Sequence, residues 1–134
     1  MMMCAETAMG LDFVERINAH DVEGLLSLMT PDHRFVDSLG NVIEGRDKLR
    51  AAWSGYFAMV PDYRITIDTT FAEGYEAILC GVAGGTYAPG GKLDPANAWS
   101  TPVAIRAKID IERVAEWQVY ADNEPIREKM RRAK

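Results

Sequence analysis

The periodicity of the chain changes at Val60-Pro61-Asp62. Before it, apolar residues recur at helical spacing. After it they alternate. From Tyr63, the residues Tyr63, Ile65, Ile67, Thr69 and Phe71 alternate with Arg64, Thr66, Asp68, Thr70 and Ala72. Glu73-Gly74 then predicts a hairpin turn. Ile78, Cys80 and Val82 alternate with Ala77, Leu79, Gly81 and Ala83 in a strand that is apolar on both faces, which suits a central position. Gly84-Gly85 suggests a bulge there. Val103, Ile105, Ala107, Ile109 and Ile111 alternate with Ala104, Arg106, Lys108, Asp110 and Glu112. In the last strand, Val114 to Asp122, the residues Trp117, Val119 and Ala121 share one face, and Glu116, Gln118, Tyr120 and Asp122 the other.

The N-terminal half reads differently. Ala8 to Ala19 predicts a helix with Leu11, Phe13, Val14 and Ile17 as its apolar stripe. Asp21 is a plausible N-cap for a second helix through Val22, Leu25, Leu26, Leu28 and Met29, which Thr30-Pro31 would end. Asp32 to Ser38 reads as a short strand, with Val42-Ile43-Glu44 as a second extended piece. Arg46 to Val60 is the longest helix, with Leu49, Trp53, Tyr56, Phe57 and Val60 on one broad face. Helices first and a strand meander afterwards give an α+β class. Tyr87 to Ser100 is a long irregular stretch rich in Gly, Pro and Asn, closed by Trp99, and loops of that length often serve as lids.

A chain of 134 residues with 48% hydrophobic content predicts one domain, residues 1–134, with its core over about 9–126. A net charge of −5 speaks against nucleic acid as partner. The basic run Arg127 to Lys134 reads as a solvated or frayed end. Cys4 and Cys80 form no framework, and no CxxC or Cys/His cluster suggests structural zinc. His33, Asp32 and Asp37 are too few and too loosely arranged for a metal site, so neither metal nor cofactor is expected. The N-terminus has no signal-peptide pattern and no apolar run is long enough to span a membrane, so the expected location is cytoplasmic, away from the membrane.

Asp37 is the first candidate for chemistry. On an ideal strand His33, Phe35 and Asp37 share a face, and a face carrying Phe should look inward. A carboxylate against an apolar interior has a raised pKa and can act as a general base. Alternatively, Asp37 opens the turn Asp37-Ser38-Leu39-Gly40, with its side chain on backbone N–H groups. His33 could orient Asp37 or relay a proton, or it could be a hydrogen-bonded structural histidine. His20, in an Asn-Ala-His-Asp turn, looks structural.

The element order and several local motifs resemble the SnoaL-like, ketosteroid isomerase-like branch of the nuclear transport factor 2-like superfamily. The motifs are Phe13 to Asp21, Phe35 to Gly40, Glu44-Gly45-Arg46-Asp47, Val60-Pro61-Asp62-Tyr63, Gly85-Thr86-Tyr87 and Glu116 to Asn123. The resemblance implies a cone-shaped fold in which a curved antiparallel or mixed sheet wraps around three N-terminal helices and encloses a central pocket. It also implies a homodimer through the sheet. Asp37 falls where ketosteroid isomerases keep their aspartate base. Asp122 falls where polyketide cyclases keep theirs, although Asp122-Asn123-Glu124-Pro125 could equally be a terminal turn. The isomerase oxyanion donors are replaced here by Phe13 and about Ala104, which makes a steroid isomerase improbable. The pocket is expected to hold a small hydrophobic molecule and to be lined by Phe13, Ile17, Phe35, Trp53, Phe57, Trp99, Trp117 and Tyr120. Two readings follow: a cofactor-independent isomerase, cyclase or hydrolase acting on a hydrophobic carbonyl substrate through an aspartate base, or a non-catalytic binding or dimerisation domain.

Overall fold

The computed structural model describes residues 3–132. Met1-Met2 of the N-terminal stretch and Ala133-Lys134 of the basic run lie outside them. The chain forms α1 (Ala5–Asn18), α2 (Val22–Ser27), β1 (Met29–Val36), β2 (Val42–Glu44) and α3 (Arg46–Met59). There follow β3 (Arg64–Glu73), β4 (Glu76–Thr86), a single 3-10 turn at Pro95–Asn97, β5 (Ala98–Asp110), β6 (Arg113–Ala121) and α4 (Glu124–Arg132). The strands make one six-stranded sheet in the order β2-β1-β6-β5-β4-β3. β1 and β6 pair in parallel, and every other neighbouring pair is antiparallel. This is the α+β cone fold that the sequence predicts.

The alternation read in β5 and β6 is the register observed over residues 103–108 and 116–121; beyond Lys108 the register shifts, Ile109 pairs with Val114, and Ile111, read as part of the apolar face, lies exposed in the turn. Ile105 faces Val119 and Ala107 faces Trp117 on one side, while Arg106 faces Gln118 and Lys108 faces Glu116 on the other. The apolar side is covered by α1, whose Phe13, Val14 and Ile17 are buried against Leu79, Ile105 and Trp117. Helix and strand approach closely at Gly10: a Cβ there would sit 3.1 Å from Leu79 Cδ1. Asp21 caps α2 by accepting from the Gly24 amide at 2.9 Å, as its position predicts.

Several boundaries depart from the sequence expectations. α1 begins at Ala5, not Ala8, and Cys4 is its N-cap, with Sγ 3.1 Å from Thr7 Oγ1. α2 ends at Ser27, and β1 starts at Met29 and runs through Pro31. The strand tolerates that proline because its pairing with β6 breaks register between Met29 and Arg34, so no ladder bond is asked of the missing N–H.

The bulge expected at Gly84-Gly85 lies instead in β3 at Asp68, where Ile67 pairs with Gly81 and Thr69 with Cys80. The two glycines keep register and serve close packing: a Cβ on Gly84 would stand 2.6 Å from the Trp99 carbonyl oxygen, and one on Gly85 2.5 Å from Val60 Cγ1. The irregular stretch is shorter than predicted, because β5 begins at Ala98 and takes in Trp99. The basic C-terminal run, expected to fray, is α4 through Arg132.

Candidate active-site cavity

A cavity of about 380 Å³ opens between α3, the apolar side of the sheet and α4. That is within the range of small-molecule sites. Helix α3 supplies Leu49, Ala52, Trp53, Tyr56 and Met59, which fall on one helical stripe. The sheet supplies Val103 and Ile105 from β5, Trp117 and Val119 from β6, and Phe35 from β1. Ile126, Arg127 and Met130 of α4 close it.

The polar lining residues at the rim stand together. Asn123, just before α4, donates to Ser38 Oγ at 2.6 Å and ties the helix to the turn after β1. Arg127 lies one helical turn beyond Asn123, its amide donating to the Asn123 carbonyl at 3.0 Å. Asp37 completes this rim. Its Oδ1 accepts from the amides of Leu39 and Asn41, each at 2.9 Å, and its Oδ2 from the Asn41 side-chain amide at 3.1 Å. Burial opposes ionisation there, but the donors from Asn41, Leu39 and Gly40 outweigh it, and the carboxyl titrates below its ordinary value. The raised pKa expected of Asp37 is therefore corrected. β1 ends at Val36, so strand alternation no longer aims the next side chain, and the turn amides capture it.

Two tyrosines in the wall have a different character. The rings of Tyr56 and Tyr63 meet edge to face at 4.9 Å. Burial pushes the Tyr56 phenol well above its ordinary range and that of Tyr63 up to about 12. No hydrogen bond from a described residue contributes to either shift. Each is a neutral O–H able to donate to an oxygen brought into the cavity.

Of the aromatic and apolar residues expected to line the pocket, Phe35, Trp53 and Trp117 do so. Phe13 and Ile17 do not; both are fully buried in the core, with the Phe13 ring packed on Trp117 at 4.4 Å. Phe57 turns away to stack on His20 at 4.2 Å. Trp99 sits in a separate cluster with Val60 and Ile126, its Nε1 buried without a partner. Tyr120 is 48% exposed and lies in register with Ala104, on the opposite side of the sheet.

His33 is enclosed in the core rather than in the cavity wall. Its Nδ1 lies 2.7 Å from the Val114 carbonyl and donates to it, its ring stacks on Phe13 at 5.9 Å, and burial lowers its pKa. Four residues of strand separate it from Asp37, roughly 13 Å at the usual rise, so a direct relay between them has no geometric basis. Asp122 is exposed, accepts from the Glu124 amide at 2.9 Å in the turn that leads into α4, and does not line the cavity. His20 Nε2 donates to the Tyr63 carbonyl oxygen at 2.9 Å, a structural bond as its turn position predicts.

Tyr63, Asn123, Arg127 and Met130 were not foreseen as site residues. Three of them belong to α4 and its approach, for which the sequence does carry a signal. Asp122 can cap, Pro125 suits a first turn, and Ile126 and Met130 are spaced to share a helix face. Among the described residues no cluster of three or more His, Cys, Asp or Glu could hold a metal ion. No helix among them is long and apolar enough to cross a membrane.

The fold has many solved relatives. A candidate SnoaL-like polyketide cyclase from Shewanella putrefaciens superposes with a TM-score of 0.81 at 17% identity, covering 97% of this chain and 88% of that one. An NTF2-like protein of unknown function from Burkholderia pseudomallei gives 0.75 at 17% identity, with 96% and 97% covered. A protein with a ketosteroid isomerase-like fold from Catenulispora acidiphila, in complex with trimethylamine, gives 0.72 at 18% identity, with 84% and 83% covered. At these identities the likeness is one of fold. No curated protein matches the chain. The sequence profile of the SnoaL-like domain family, however, matches residues 11–121, which is most of its length, and the chain belongs to that family.

Proposed function

We propose that this chain binds a small apolar molecule carrying a carbonyl or hydroxyl oxygen. The observation that carries the reading is the wall itself: Trp53, Trp117 and Phe35 offer apolar surface, and the neutral phenols of Tyr56 and Tyr63 are the donors beside it. An apolar pocket with a few unpartnered polar groups binds by burying hydrocarbon and orients by hydrogen bonds. The test uses tryptophan fluorescence, since two of the three tryptophans line the cavity. An aromatic ketone should bind more tightly than the matching hydrocarbon, and Tyr56→Phe or Tyr63→Phe should remove about 3- to 10-fold of that preference. Equal binding of ketone and hydrocarbon, or no binding of either, would overturn the reading.

A catalytic reading of the same cavity rests on Asp37, which lines the rim as an ionised carboxylate. A carboxylate of lowered pKa is a weak base, so the substrates within its reach are acidic carbon centres, such as one flanked by two carbonyl groups. The tyrosines would take the place of the oxyanion donors missing at Phe13 and Ala104, holding the enolate oxygen as the proton leaves carbon for Asp37. Deuterium exchange at the central carbon of an aromatic β-diketone measures this step. Exchange that persists in Asp37→Asn would remove the aspartate base. A homodimer through the outer side of the sheet belongs to the same proposal, and a monomer in sedimentation at micromolar concentration would remove it.

A further inference from the structure

Arg127 is the one cationic residue among those lining the cavity. Its neighbours on α4 are engaged elsewhere: Arg131 pairs with Glu124, and Arg132 reaches Glu128 at 4.0 Å. Arg127 has no such partner: among the described residues, no carboxylate lies within 4.0 Å of it. The nearest candidate by position, Asp37, has both oxygens committed to Leu39 and Asn41. The rim thus holds one anion whose two oxygens are already bonded to its own turn and one half-buried cation with no carboxylate beside it. Their formal charges cancel, but the carboxylate already accepts three hydrogen bonds within its turn, while the guanidinium has no carboxylate partner among the described residues.

Position strengthens the point. Arg127 sits one turn after Asn123, which is fixed to Ser38, so the helical turn that carries Arg127 is anchored at the place where the turn after β1 meets α4. The neutral groups beside it, Ser38 and Asn123, can add donors to an oxygen bound there. The opposing wall is hydrocarbon, from Trp53 to Trp117. A planar guanidinium at the edge of an apolar cavity matches a carboxylate, which it can grip with two parallel hydrogen bonds.

We infer that the ligand of this cavity is an apolar carboxylic acid, its ring or chain against Trp53 and Trp117 and its carboxylate on Arg127. This rests on the binding reading above and adds the chemical class of the ligand's polar end. Neither Asp37 nor the tyrosines can supply that selection, since one repels an anion and the others accept any oxygen.

Naphthoic acid, its methyl ester and naphthalene methanol make a matched set of probes, titrated at neutral pH against tryptophan fluorescence. Wild-type protein should bind the acid at least 10-fold more tightly than the ester. Arg127→Gln should weaken the acid by about 10- to 100-fold and leave the ester within about 3-fold. Arg127→Lys should fall between, because it keeps the charge and loses the fork. Acid and ester of equal affinity in the wild type would overturn the carboxylate inference while leaving the pocket reading intact. So would an acid preference that survives Arg127→Gln. Failure of all three probes to bind would overturn both. The wild-type comparison needs no variant, so a poorly folded Arg127→Gln protein does not rescue the inference.

Discussion

The two sides of the sheet are made by the same strands, residue for residue, yet their polar groups are in opposite states. On the outer side Glu116 is nearly buried between Arg34 at 3.1 Å and Lys108 at 3.3 Å, Arg34 also reaches Glu44 at 3.1 Å, and Arg106 meets Glu76 at 2.6 Å. Each of these charges has its counter-charge across a strand boundary, the arrangement that stabilises cross-strand pairs. On the inner side the side chains are hydrocarbon and aromatic, space is left between them, and the phenols of Tyr56 and Tyr63 have no hydrogen bond to a described residue. Paired groups are finished and have nothing to offer a small molecule. Unpaired groups beside an empty volume are where recognition can happen.

The largest test of that contrast is energetic. Trp117, fully buried on the inner side, anchors both the core and the cavity floor. Trp117→Ala should cost about 3–5 kcal/mol in urea unfolding. Arg106→Ala, one strand away on the outer side, should cost about 0.2–1 kcal/mol, and less in high salt, because its pair with Glu76 is over a third exposed. Similar costs for the two would mean that the sides do not differ in the way their geometry indicates.

The next effect comes from the one histidine enclosed on the inner side. Burial lowers the pKa of His33, the Val114 carbonyl and the charges of Glu116 and Asp32 only partly opposing it. Below the unfolded value of 6.5 the unfolded chain takes up a proton that the native chain refuses. Its contribution to stability is therefore complete above that pH and is lost as pH falls toward the lowered native value. The slope is at most about 1.4 kcal/mol per pH unit. Measured against His33→Asn, whose stability should lack this slope, the wild-type protein should lose stability between pH 6.5 and the native titration. Parallel pH profiles for the two proteins would show that His33 is not held neutral by its surroundings.

The contrast between the two sides could be read in the sequence; the cavity could be read only in part. Residues 103–108 and 116–121 alternate so regularly that the face of each side chain follows from one registration; the register shift that turns Val114 into the core beside Ile109 leaves no mark in the alternation. The apolar stripe of α3 was equally plain, but sequence spacing cannot divide a stripe between a cavity and a core. Trp53 and Tyr56 took the cavity, while Phe57 turned to His20 because the loop after α1 lies there. Trp99 was hidden in a run of Gly, Pro and Asn; its strand assignment depends on pairing of Thr86 with Ala98, a contact set by the length of β4. Helix α4 was missed because its charge outweighs its apolar content, and its two apolar anchors, buried Ile126 and half-buried Met130, gain meaning only once Val60 and Trp99 are in place beneath them.

Asp37 stands between the two classes, and its effect should be the smallest. It lines the cavity like the inner groups, yet both oxygens of its carboxylate already have hydrogen-bond partners, as the outer charges do. Its native pKa is lower than the ordinary 3.8, so its contribution to stability is present above that value and disappears as pH falls through the native titration. The turn is largely open to water, which limits the contribution to a fraction of about 1 kcal/mol. Asp37→Asn keeps an oxygen for the two amides but loses the charge and the bond from Asn41. It should lower stability slightly at pH 7 and make no difference in strong acid, as differential scanning at the two pH values would show. A loss much above 1 kcal/mol would place Asp37 wholly with the structural groups. No loss at all, together with a change in probe affinity, would place it with the groups that face the ligand, because a side chain whose bonds matter to the turn cannot be removed without the turn registering it.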